Sequence, residues 1–248
     1  MAAAGEVGGG VGVGGGVGDA VQARKAEHLR LTASSDVNAR TGAGWADVRL
    51  LHEALPAVDL DAVDLSVTFL GRRLAAPLVI AGMTGGHGEA EAVNACLARA
   101  AQRFGLAMGV GSQRAGMGRP EVDSTYGVAR AEAPTAFLIG NVGAPQLIPQ
   151  EGPDGRGVPP LTAGQIEGAL ALLRADALAV HLNFLQETVQ PEGDRRARGT
   201  LEALRALVGE VGVPVIAKET GAGLSRQSAR LLAGAGVRAL DVGGLGGT

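Results

Sequence analysis

From residue 77 onward the chain alternates short apolar runs with segments of helical period. The runs are PLVIAG at 77 to 82, LAMGVG at 106 to 111, AFLIGN at 136 to 141, ALAVHLN at 177 to 183, VPVIAKE at 213 to 219 and VRALDVGG at 237 to 244. Runs this short and this continuously apolar predict parallel strands buried on both faces. Helix signals lie between them. Thr162 and Gln165 have capping-box spacing ahead of Ile166, Leu170 and Leu173, Thr200 precedes Leu201, Leu204 and Leu207, and Ser225 stands before the segment 226 to 233. Val93, Leu97 and Phe104 mark a further helical stripe, which takes in Cys96 as a small core residue. Strand and helix in repeated alternation predict an α/β fold with right-handed crossovers.

Where the polar residues fall separates two such folds. Every run ends in small or polar groups: Met83 to Gly86, Gly111 to Arg114, Asn141, His181 to Glu187, Lys218-Glu219 and Gly243 to Thr248. An open doubly wound sheet gathers its ligand at one switch point. Contributions from every strand end predict instead a (β/α)8 TIM-barrel type, with about six βα units in this chain. Residues 1 to 22, almost all Gly, Ala and Val, read as a disordered leader. Residues 23 to 76 read as an N-terminal extension, helical over 24 to 31 and extended over 67 to 70, and residues 77 to 248 as the barrel.

Composition narrows the function. A hydrophobic content of 46% with only 2% aromatics predicts a core of Ala, Val, Leu and Ile. A net charge of −3 provides no basic field for nucleic acid, so an anionic ligand must be held locally. One cysteine excludes an internal disulfide and a multi-cysteine metal site. No apolar run reaches the ~18 residues of a membrane span, and the leader lacks the basic start and Leu-rich centre of a secretory signal, so a cytoplasmic protein is expected. Gly10, Gly12 and Gly15 spell GxGxxG but follow no strand and open no patterned helix, which makes the match compositional.

The richest chemistry lies in HLNFLQETVQPEGDR, residues 181 to 195. His181 and Asn183 share a strand face by the period of two, and Gln186 and Glu187 are expected in a loop just beyond the strand's carboxyl end, where barrels keep their active sites. Of 22 basic residues only Lys25 and Lys218 are lysine. Both stand inside candidate motifs, Lys25 in RKAEH and Lys218 at the end of VPVIAK, where a compact ammonium differs from a planar fork.

Taken in order, RKxxH at 24 to 28, AGMTGG at 81 to 86, GSQR at 111 to 114, HLNxLQE at 181 to 187, QPEGDR at 190 to 195, KE at 218 and 219, GxGLS at 221 to 225 and DVGGLGGT at 241 to 248 resemble type 2 isopentenyl-diphosphate isomerases, which are FMN-dependent barrels. The resemblance runs from about residue 22 to the end. It implies interconversion of isopentenyl and dimethylallyl diphosphate by proton transfer across an allylic unit, using reduced FMN, Mg2+ and NADPH as reductant. It places Arg24, Lys25, His28, Ser112, Gln113, Arg114 and Gln186 on the substrate and Glu187 on the metal. It places Gly82, Met83, Thr84, Ser112, Asn141, Lys218 and Thr248 on the flavin, and gives His181, Asn183 and Gln186 the task of positioning substrate while the flavin moves the proton. A homo-oligomer is expected of the family. A barrel of ~250 residues has eight units, so the end at Thr248 predicts a form without the last two strands and the flavin-phosphate loops, weak in FMN binding and inactive alone. An FMN barrel oxidoreductase acting on a 2-hydroxy acid would explain Lys218 but neither Arg24-Lys25 nor Gln186-Glu187. An inactive scaffold makes no demand on the motifs.

Overall fold

The computed structural model describes residues 26–27, 29–37, 39–40, 42–152, 154–191 and 193–245. Arg24, Lys25, His28 and Thr248, and the leader, therefore lie outside the described residues. A first helix, α1, has described residues 26–27 and 29–34. A hairpin follows, β1 (Val67–Phe69) antiparallel to β2 (Arg72–Leu74). Leu70 does not extend the strand as expected: with φ 47 beside Gly71 at φ 84 it makes the turn.

The apolar runs become six strands in one parallel sheet: β3 (Val79–Ile80), β4 (Ala107–Gly109), β5 (Phe137–Gly143), β8 (Ala177–Leu182), β9 (Val215–Glu219) and β10 (Ala239–Asp241). A small antiparallel pair, β6 (Gln150–Glu151) with β7 (Gly157–Val158), is inserted after β5. In space the order is β3-β4-β5-β8-β9-β10, the order of the sequence. A doubly wound sheet reverses its order at the switch point. Unbroken succession in one direction is the winding of a TIM-type barrel.

The helices α2 (Glu89–Phe104), α3 (Ser124–Glu132), α4 (Ala163–Leu173), α5 (Phe184–Val189), α6 (Thr200–Glu210) and α7 (Arg226–Gly234) occupy the connections. The capping box at Thr162 and Gln165 forms as expected, and the Ser225 side chain caps α7 through the Ser228 amide. Thr200 does not cap α6. It is already helical, its hydroxyl donates to Ala197 O, and Gly199 at φ 92 is the residue before the helix. Cys96 is exposed, because the stripe that α2 buries runs through Ala90, Asn94, Ala98 and Ala101. These small residues let α2 approach α3 closely, and the bulkier Phe104 is left 58% exposed.

Period-two alternation gives the sheet two faces. Leu138, Val142, Leu178, Val180, Val215 and Ala217 pack outward under the helices against Ile166, Leu170, Leu204, Leu207 and Leu232. Ala107, Phe137, Ile139, Ala177, Ala179 and Ile216 face inward, where Leu74 and Phe69 of the hairpin close the lower end. The Phe69 and Phe137 rings meet edge-on at 5.5 Å.

One buried cation secures the lower end of the sheet. The Arg130 guanidinium, on α3, donates to the carbonyls of Leu173, Ala133, Pro134, Ala136 and Arg174 and to the Asp176 carboxylate at 2.8 Å. Asp176 in turn accepts from the Leu138 amide of β5. Removing one member strands buried carbonyls and a carboxylate. Arg130→Met is expected to cost about 3–5 kcal/mol, lowering Tm by on the order of 10 °C. A thermal melt that moves by less than ~2 °C would show the clamp to be dispensable.

Candidate active site

The inner face changes character toward the carboxyl ends of the strands. Ile139, Ala179 and Ile216 are apolar, and the next inward positions on the same strands are Asn141, His181 and Lys218. His181 stands in register with both Gly143 and Lys218, and Lys218 with Asp241. Gly82, Gly109, Asn141, Ala179, Lys218 and Asp241 line one small cavity on this face. A roomier cleft of about 230 Å³ lies between the 113 to 126 segment and α4, and its polar lining, Gln113, Arg119, Asp123, Tyr126 and Gln165, includes none of Asn141, His181 and Lys218. Volume and chemistry thus part company, and the placement of the polar layer makes the smaller cavity the candidate site.

Within that layer the hydrogen bonds fix atoms. Asn141 Nδ2 donates to Val110 O at 3.0 Å, which leaves Oδ1 to face His181 Nδ1 at 2.8 Å. Since Oδ1 only accepts, Nδ1 carries the proton. A Cβ on Gly143 would lie 3.0 Å from His181 Nε2 and 2.0 Å from Gln146 Oε1, so glycine there brings both side chains to the same strand end.

Gln146 opens a second network. Its Nε2 donates to Asp194 Oδ2 at 2.6 Å, and Arg114 Nη1 forms a very short ion pair with the same oxygen. The Asp194 amide donates to Glu187 Oε2 at 2.9 Å, and Asn183 Nδ2 donates to Glu187 Oε1 at 2.7 Å. Asn183, Glu187 and Asp194 are all buried, and Asn183 Oδ1 is a buried acceptor with no partner among the described residues. Two carboxylates against one guanidinium leave this cluster one negative charge in excess.

The expected loop at 184 to 189 is instead α5. Asn183 leaves the strand, at φ −98 and ψ 29, and does not share the His181 face as a strand residue would. The spacing from Asn183 to Glu187 is one helical turn, which is what lets their side chains meet. The side chain of Gln186, half-buried on α5, makes no hydrogen bond among the described residues.

Two of the expected contact residues, Gln113 and Thr84, spend their side chains internally, and a third, Ser112, is held through its backbone carbonyl. Gln113 is buried, its Nε2 donating to Ala169 O and its Oε1 accepting from the Asn141 amide, so it braces β5. The Thr84 hydroxyl pairs with His87 Nε2 at 3.0 Å. The Thr84 carbonyl accepts from the Gly111 amide, leaving Thr84 to shape the loop beside the exposed Met83. Ser112 is half-buried, and its carbonyl accepts from the Tyr126 hydroxyl at 2.7 Å. Burial, with the nearby Asp123 charge, pushes the Tyr126 phenol far up, so it stays a neutral donor.

Lys218, half-buried, donates from Nζ to its neighbour's carbonyl, Glu219 O, at 2.9 Å. Burial alone would raise the Glu219 carboxyl, but donation from the Gly221, Gly223, Thr220 and Ala222 amides overrides it and holds the group below its usual range. A single oxygen, Oε2, takes the Gly221, Ala222 and Gly223 amides at 2.6 to 2.8 Å. Glu219 therefore ties down the loop after β9 and, with it, the carbonyl that holds Lys218. Sequence reading assigned no role to Asp194, Gln146 or Glu219. The Gly193-Asp194 pair was the one available signal, since a side chain at 193 would collide with Glu187 O at 1.8 Å.

An α/β barrel with an amide, imidazole and ammonium layer at its strand ends is the class that fold and site define, and residues 21–124 match the FMN-dependent dehydrogenase family. An isopentenyl-diphosphate delta-isomerase of Methanosarcina barkeri is 52% identical over 226 residues, covering 91% of this chain and 59% of that protein. One from Methanothermobacter thermautotrophicus is 46% identical over 225 residues, covering 91% of this chain and 60% of its own. The chain is a homologue of these isopentenyl-diphosphate delta-isomerases and spans about three-fifths of the length of the relatives it matches. Among solved structures, a lactate oxidase of Pediococcus acidilactici superposes with a TM-score of 0.46 at 13% identity over 71% of this chain and 49% of that one. No helix among the described residues is long and apolar enough to cross a membrane.

Proposed function

We propose that the site interconverts isopentenyl and dimethylallyl diphosphate, with FMN, Mg2+ and NADPH as the reductant that prepares the flavin. The observation that carries the reading is the junction at Gly143, where the Arg114–Asp194–Gln146–Glu187 network abuts the His181–Asn141 pair of the inner face. One substrate with an anionic end and a short hydrocarbon end suits a site divided in this way.

Arg114 offers a guanidinium whose fork matches phosphate oxygens, assisted by Arg24 and Lys25 of the N-terminal motif. Glu187, with the orphaned Asn183 Oδ1 beside it, fits a hard divalent cation. A Mg2+ ion of this kind is held by one or two carboxylates and completed by substrate phosphates. Gly82, Asn141 and Lys218, which line one cavity, would hold the flavin ring, with Lys218 as the cation beside its electron-rich edge. Reduced FMN, when bound, supplies the proton transfer at the alkene. His181, held in one tautomer by Asn141, and Gln186 orient the hydrocarbon end, and the apolar layer of Ile139, Ala179 and Ile216 below excludes water from it. The net change breaks one C–H bond at the allylic carbon and forms one at the terminal alkene carbon, with no net oxidation.

The test supplies isopentenyl diphosphate, Mg2+ and chemically reduced FMN to the chain and to a fusion that adds the C-terminal portion of the Methanosarcina barkeri relative, and follows dimethylallyl diphosphate by NMR. Product from either, dependent on reduced flavin, is the expected result. A fusion that binds FMN and makes no product would overturn the reading.

A further inference from the structure

We infer that Asp194 is a positioning residue, which presets the Arg114 guanidinium for a diphosphate while its backbone holds the Glu187 carboxylate in place. The inference rests on the assignment of Arg114 to the substrate diphosphate in the function proposed above.

Asp194 is an expensive residue to keep. Its carboxylate is almost wholly withdrawn from water, and a buried carboxylate costs several kcal/mol unless donors compensate it. Two donors do so, and they arrive from different parts of the barrel. Arg114 stands in the 3-10 turn after β4, and Gln146 in the turn after β5. Glycine at 143 admits the Gln146 amide, and glycine at 193 lets residues 193 to 195 lie within contact of α5. The segment is pinned on its far side as well. The buried Gln150 accepts from the Arg196 amide at 2.9 Å and donates to the Arg196 carbonyl at 3.0 Å. Asp194 is thus a fixed anchor and not a mobile counter-ion.

What the anchor fixes is a side chain that is otherwise free to wander. The Arg114 side chain is 39% exposed, and the Asp194 contact uses Nη1 alone. A guanidinium carries five donors, so most of the fork remains for phosphate oxygens. Ordering an arginine costs up to ~2 kcal/mol in rotamer entropy, and a side chain already held at one nitrogen loses less when the ligand binds. The Asp194 amide, by bonding Glu187 Oε2, places the metal carboxylate on the same rigid segment. Diphosphate and cation sites are in this way set at a fixed separation by one residue, through its side chain on one side and its backbone on the other.

Simple electrostatics and positioning predict opposite signs, which makes the inference testable. Asp194→Asn deletes a negative charge near an anion site, so charge alone would tighten diphosphate binding. Loss of the anchor weakens it. Calorimetric titration of the chain with inorganic diphosphate, without metal, is expected to show roughly tenfold weaker binding by Asp194→Asn, the scale of one charge-assisted contact. The Mg2+ affinity measured without diphosphate should fall less than in Glu187→Gln, because the cluster loses the same one negative charge but keeps the Glu187 carboxylate and the backbone amide that holds it. Collapse of the segment would lower it at least as far as Glu187→Gln does. Gln146→Leu, which removes the second donor and no charge, should weaken diphosphate in the same direction, and it serves if Asp194→Asn fails to fold by circular dichroism. Equal or tighter diphosphate binding in the folded variants, with Arg114→Met still weakening it, would sink the inference and leave the function standing. Absence of an effect from Arg114→Met, or of diphosphate binding by the parent chain, would overturn the substrate assignment and the inference together.

Discussion

Glu187→Gln is expected to reduce Mg2+-dependent turnover by roughly 10²- to 10⁴-fold, the several kcal/mol that a metal bridging substrate phosphates contributes. The substitution is unusually clean here. Glu187 Oε1 accepts from Asn183 Nδ2 and Oε2 from the Asp194 amide, so a glutamine can keep its oxygen toward Asp194 and present its new amide nitrogen to Asn183. Asn183 can answer by turning its amide over, since its Oδ1 has no partner to lose. The fold should therefore lose less than ~1 kcal/mol, while the cluster's formal charge goes from −1 to 0 and the excess that attracts a divalent cation disappears. Mg2+ titration followed by calorimetry, beside FMN binding followed by absorbance, separates the two. Weakened Mg2+ binding with flavin binding unchanged is the expected pattern. An unaltered Mg2+ requirement would remove Glu187 from the metal shell and leave it a structural partner of Asn183 and Asp194.

The strands could be read from the sequence because parallel strands buried on both faces leave continuous apolar runs, and each of the six runs holds one strand of the sheet. The polar residues on their inner face were legible for the same reason: Asn141, His181 and Lys218 sit at run ends, two residues beyond an apolar inward position. Asp194 and Gln146 were not, because nothing local marks Gln146 and only the preceding Gly193 marks Asp194. Their burial is created by partners 80 and 48 residues away in sequence, Arg114 in one case and each other in the second. The helix α5 was missed because its six residues carry no amphipathic period, and the β6–β7 pair because strands of two residues beside Pro149 and Pro159 carry no alternation. Cys96 shows a related error. Large side chains were weighted as the buried stripe of α2, whereas close packing on α3 selects the alanines.

Lys218→Met should leave the sheet intact and change the flavin. Among the described residues Lys218 Nζ bonds only the Glu219 carbonyl, and it shares its cavity with the apolar Ala179 and Ile216, surroundings that methionine's unbranched chain also suits. The stranded Glu219 carbonyl lies at the half-buried mouth, where water can replace the ammonium, so the stability cost is expected at ~1 kcal/mol or less. The cation itself has no such replacement. Reduced flavin is the more negative state, and a positive charge held beside it stabilises that state over the oxidised one. Deleting one partly screened charge is worth about 1–3 kcal/mol, which for a two-electron couple lowers the bound potential by on the order of 20–60 mV. Redox titration of FMN bound to the parent and to Lys218→Met reads this directly, and Lys218→Arg, which keeps the charge, should retain most of the parent value. A potential unmoved by Lys218→Met, with FMN still bound, would place the ammonium away from the flavin and make it a tether for the loop that Glu219 organises.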